Sequence, residues 1–70
     1  MEKPPIYQLN EKGYIFAHKI ERLTPYEYVV QPACLYLYYN VNGTYKDIIH
    51  NTSKESFKMA EELGLIEKIK

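Results

Sequence analysis

The side chains best suited to nucleophilic, acid–base or metal chemistry in this sequence are two histidines, His18 and His50, and one cysteine, Cys34. A zinc centre needs three or four ligands at close, characteristic spacings. Neither histidine has a second His or Cys at such a spacing, and a lone cysteine forms no internal disulfide. A Cys34–His nucleophilic pair would also require an orienting group and an oxyanion-stabilising donor set. Cys34 therefore reads as an inert buried thiol. His18 reads as a satisfied core histidine. His50, just ahead of a helix start, is the better placed of the two for a pH-sensitive or ligand-contacting role. Glu61 and Glu62 are adjacent on a helix and point in different directions, so they read as a solvated face, not an acid–base pair. Gly13, Gly43 and Gly64 mark three separate turns and build no phosphate-cradling loop. These residues predict a non-enzymatic protein with no cofactor and no metal.

The elements that position these residues must come from a short chain. Seventy residues predict one small α+β domain over 1–70, with 1–5 as a loosely ordered arm. Nine basic and nine acidic side chains cancel, and 46% of the residues are hydrophobic, the composition of a globular protein. No apolar run approaches the ~20 residues that span a bilayer. The start Met1-Glu2-Lys3-Pro4-Pro5 lacks an apolar signal region, which predicts a cytoplasmic protein. Asn42-Gly43-Thr44 and Asn51-Thr52-Ser53 fit the N-glycosylation pattern and are then chance matches. With a single Arg and dispersed Lys, non-specific duplex binding is disfavoured.

Tyrosine is out of proportion, at 8 of 70 residues beside 2 Phe and no Trp. Tyrosine favours strands and half-buried contact surfaces. Strands are expected at Ile6–Leu9, Tyr14–Arg22, Tyr26–Gln31, Cys34–Val41 and Thr44–Ile49, with Pro32 ending the third. Asn42-Gly43 predicts a type I′ hairpin that sets Val41 against Thr44, Tyr39 against Lys46 and Leu37 against Ile48. Thr52 with Glu55 predicts a capping box for a helix bearing Phe57, Met59, Ala60 and Leu63, which Gly64 ends. Leu65–Lys70 continues as a strand or a tail.

The expected fold is thus an antiparallel sheet of four to five strands with one C-terminal helix on one face. That helix would cover Leu35, Leu37, Tyr39 and Val41, leaving Tyr36, Tyr38, Tyr45 and Ile49 as an exposed partner-binding face. The expected function is protein binding by a homodimeric regulator, inhibitor or adaptor, of phage or bacterial origin, working in the host cytoplasm if phage-encoded. Its partner would be a second copy or another protein, with no membrane role and with room for a small ligand at the dimer seam.

Residues 45–66 also resemble the end of a winged helix-turn-helix, in which two helices finish in Gly-Leu-Ile (here Gly64-Leu65-Ile66) before a wing strand. The resemblance implies a DNA-binding regulator with Lys54 and Lys58 on the recognition helix, and it requires residues 33–41 to be helical. Glu55, Glu61 and Glu62 share that helix, and no full wing follows Ile66. A further alternative is nucleotide or single-stranded nucleic-acid stacking on the Tyr face, for which a basic groove is lacking.

Overall fold

In the computed structural model, residues 4–18 and 24–69 are described. Their elements are β1 (Ile6–Leu9), α1 (Glu11–Ala17), α2 (Pro25–Asn40), β2 (Asn42–Thr44), α3 (Tyr45–Asn51), α4 (Lys54–Glu62) and β3 (Ile66–Lys68). The three strands form one antiparallel sheet in the order β2-β1-β3. Tyr7 in the central strand stands opposite Gly43 on one side and Lys68 on the other. The expected larger sheet with a single C-terminal helix does not form: four helices and three short strands take its place among the described residues.

The largest departure is α2, which spans two of the expected strands. Its start is encoded by Thr24-Pro25-Tyr26-Glu27. The Glu27 N–H donates to Thr24 Oγ1 (3.2 Å), the Thr24 N–H donates to Glu27 Oε1 (3.0 Å), and Pro25 lends its fixed φ to the first turn. Val30, Ala33, Cys34 and Leu37 then recur at helical spacing, and all four are fully buried. Asn42-Gly43 is not a hairpin turn. Gly43 is instead a buried β2 residue lying against the ring of Tyr36.

Pro32 lies inside α2 and supplies no N–H to its hydrogen-bond ladder. The neighbouring groups are served from α4. The Ala33 N–H donates to Ser56 Oγ (3.0 Å), and the Ser56 hydroxyl donates to the Val30 carbonyl (3.2 Å). Ser56 is completely buried, so a single hydroxyl clips the proline-interrupted helix to α4.

Two further segments expected as strands are helical. Asn10 caps α1 by accepting from the Gly13 N–H (2.9 Å). This makes Glu11–Ala17 a helix where Tyr14–Arg22 reads as a strand; residues 19–22 of that strand lie outside the described residues. Thr44 and Asp47 form a second capping box, which turns Tyr45–Asn51 into α3 in place of the second hairpin strand.

The C-terminal helix forms as expected, but Ser53 is its cap, accepting from the Ser56 N–H (3.0 Å). Thr52 closes α3 instead, its hydroxyl and its N–H both donating to the Ile48 carbonyl. Gly64, at φ +70°, ends α4 in a Schellman motif, with Leu65 N–H to Ala60 C=O and Gly64 N–H to Glu61 C=O (3.0 Å each). Of the expected apolar stripe, Phe57 and Ala60 are buried while Leu63 is exposed. Pro4 and Pro5 of the expected arm are exposed and irregular; residues 1–3, and Lys70 of the expected tail, lie outside the described residues.

The turn from α2 into β2 is strained. Val41 adopts φ 71° and ψ −49°, a conformation that costs a β-branched residue about 1–2 kcal/mol. Its side chain is largely exposed and contributes little burial. Val41→Gly is therefore expected to stabilise the fold by about 0.5–1 kcal/mol, net of the extra chain entropy of glycine. Thermal unfolding checks this as a rise in Tm of several degrees, whereas a fall would show that the valine side chain outweighs the strain.

Candidate functional site

The residues expected to do chemistry are dispersed. Cys34 is fully buried in α2, and desolvation pushes its thiol up to about 12 from an ordinary value of 9.0, so it carries no thiolate near neutral pH. His18 is not a core histidine. It is the exposed C-cap of α1, its ring edge-on to Tyr38 with centroids 4.8 Å apart. His50 is exposed in the last turn of α3, where a cation would complement the helix dipole. Glu61 and Glu62 are both exposed on α4. Among the described residues no three His, Cys, Asp or Glu side chains are grouped so as to hold a metal ion.

The four residues expected to form one partner-binding face are not brought together as a sheet face. Tyr36 and Tyr38 stand on opposite flanks of α2, roughly 160° apart at 3.6 residues per turn. Tyr36 is half-buried against Gly43. Tyr38 is the centre of an aromatic cluster joining α1 to α2, with ring centroids 6.1 Å from Tyr14 and 5.3 Å from Tyr39. Tyr45 lies edge-on to Phe57 at 4.8 Å, and Ile49 packs against the core. The tyrosine excess therefore serves largely as edge-to-face packing between short elements.

The structure instead pairs two short helices, α3 and α4, across a tight turn. α3 and α4 are joined by Thr52 and Ser53, each closing or opening a helix with its own hydroxyl. Buried Ile48, Phe57 and Ala60 hold the pair to α2, and Phe57 is gripped between the rings of Tyr45 and Tyr7 (4.8 and 5.0 Å). With its apolar side so fixed, α4 turns Lys54, Glu55, Lys58, Glu61 and Glu62 outward, all exposed. Its two lysines lie one turn apart in the N-terminal half, and Glu61 and Glu62 lie in the last turn. α3 adds exposed Lys46, His50 and Asn51. Thr44–Asp47 and Ser53 are the sequence signals for this pair of helices, and they are legible once α2 is taken as a helix.

An open groove of about 460 Å³ lies beside α1, lined by Lys12, Ile15, Phe16, His18 and Leu65. No helix among the described residues is long and apolar enough to cross a membrane. No family model matches this chain, and neither a curated protein nor a solved structure matches it.

Proposed function

We propose that this protein is a small cytoplasmic DNA-binding regulator that acts by binding, not turnover, with the N-terminal half of α4 as its major-groove contact. The observation that carries the reading is the exposed pair Lys54 and Lys58 on the second helix of a helix-turn-helix. Helix-turn-helix proteins contact base edges from the N-terminal part of that second helix. The helical state of residues 25–40 supports the reading further, because the winged helix-turn-helix resemblance requires a helix there. Here β1 completes the sheet beside β3, so the sheet needs no strand after Ile66–Lys68. Stacking of bases on a Tyr face has no comparable support, since Tyr36 and Tyr38 lie on opposite flanks of α2 and the Tyr45 ring packs edge-on to Phe57.

Zero net charge makes sequence-independent attraction to phosphates weak, so affinity must come from a chosen site. Selection from a random duplex library is expected to enrich a defined sequence. Fluorescence anisotropy on that duplex should show the Lys54→Ala/Lys58→Ala variant binding at least tenfold more weakly, with a shallower salt dependence by about one or two counterions. Failure to enrich any sequence, or unchanged affinity in the double variant, would overturn the reading.

A further inference from the structure

Opposite its buried side, α2 carries an apolar stripe that is largely open among the described residues. Tyr28, Pro32, Leu35 and Tyr39 recur at intervals of four, three and four residues, which at 3.6 residues per turn keeps them within about 60° of one another. Tyr28 is 60% exposed and Tyr39 is 77% exposed. From Tyr28 to Asn40 the helix bears no charged residue. A solvent-facing helix normally places charges on this side, whereas the centre of a protein interface is depleted of charge and enriched in Tyr.

The spacing of the stripe fits a second copy of α2 as its occupant. Reversing the order of its four positions gives back the same intervals, four, three and four. A second copy of α2 laid antiparallel across a two-fold axis between residues 33 and 34 therefore sets Tyr28 against Tyr39 of the other copy, and Pro32 against its Leu35. An isologous interface requires this self-complementarity. We propose that the protein forms a two-fold homodimer through α2–α2 pairing along Tyr28, Pro32, Leu35 and Tyr39. At roughly 200 Å² per tyrosine, the exposed parts of Tyr28 and Tyr39 supply about 270 Å² per copy. With Pro32, Leu35 and the flanks, the pair buries on the order of 1,000 Å², the size of a reversible dimer and not of an obligate one. The pairing is independent of the DNA reading and is tested without nucleic acid.

Sedimentation equilibrium of the full chain from micromolar to millimolar concentration is expected to show the mass rising from 8.3 kDa towards twice that value. Tyr39→Glu should weaken association at least tenfold while leaving the far-UV circular dichroism unchanged, because the position is exposed. The Tyr28→Lys/Tyr39→Glu variant brings opposite charges together across the axis and should recover association, whereas Tyr28→Lys/Tyr39→Lys should not. A wild-type chain that stays at 8.3 kDa to millimolar concentration, or a dimer insensitive to Tyr39→Glu, overturns the proposal. Recovery by both double variants, or by neither, overturns it as well.

Discussion

Gly13→Ala is expected to unfold most of the protein at temperatures where the wild type is folded, with a loss of at least about 3 kcal/mol. Helix propensity taken alone predicts the opposite sign, since alanine is favoured over glycine inside a helix by about 1 kcal/mol. Space decides against it. A methyl group at Gly13 would come 2.2 Å from the Leu65 carbonyl oxygen and 2.7 Å from Leu9 Cδ2. The first of these is backbone, and it already accepts the Asn10 N–H at 3.1 Å. Asn10 also caps α1 and donates from its side chain to the Gly64 carbonyl, so α1 cannot retreat without breaking the tie between the two ends of the chain. Native stability for a chain of this length is about 4–10 kcal/mol, and each kcal/mol is worth roughly 4–8 °C in Tm. Differential scanning calorimetry should therefore show a fall of about 12 °C or more, or no transition. Gly64→Ala provides the contrast, because nothing lies within 4 Å and only the positive φ resists it. Its expected cost is about 1–2 kcal/mol.

Ser56→Ala is expected to cost about 2 kcal/mol, although it deletes one oxygen atom from the side chain. The loss removes the bond that the buried Ala33 N–H donates to Ser56 Oγ and the bond that the hydroxyl donates to the Val30 carbonyl. A buried hydrogen bond contributes about 1 kcal/mol net. Pro32 lies between the two groups that Ser56 serves, so relieving the proline's interruption of α2 should lessen the cost. Urea unfolding of Ser56→Ala, Pro32→Ala and the double variant forms a cycle with an expected coupling of about 0.5–1 kcal/mol. Additive effects within error would show that the hydroxyl and the proline act separately.

The parts of the fold legible in the sequence are those whose signals are local. Ile6–Leu9, the helix through Phe57 and Ala60, and the Gly64 stop each depend on a few adjacent residues. α2 was obscured by its own composition. The helical repeat of Val30, Ala33, Cys34 and Leu37 is present, but Tyr and Leu also fill the remaining faces, so a period of two fits as well as one of 3.6. Those same residues on the far face make the stripe of Tyr28, Pro32, Leu35 and Tyr39. Pro32 reads as a strand end because the hydroxyl that bonds the groups beside it, the Ala33 N–H and the Val30 carbonyl, comes from Ser56, distant in sequence. Asn42-Gly43 read as a hairpin because the turn chemistry is right, while the capping boxes at Thr24 and Thr44 start helices on either side of it. Thr24-Pro25-Tyr26-Glu27 is the local signal that favours a helix start ahead of residues 25–40. The candidate site followed the same division. Lys54 and Lys58 were visible on their helix, but the tyrosine face depended on a sheet that α2 replaces.

The central functional claim is that the N-terminal half of α4 meets DNA. A ¹H–¹⁵N correlation spectrum of the folded chain, titrated with the duplex enriched by selection, tests it residue by residue. The account predicts that the largest amide shifts fall on Ser53, Lys54 and Lys58, with smaller ones on the exposed face of α3 at Lys46 and Asn51. Shifts confined to α1 or α2, or a spectrum unchanged at saturating duplex, would contradict it.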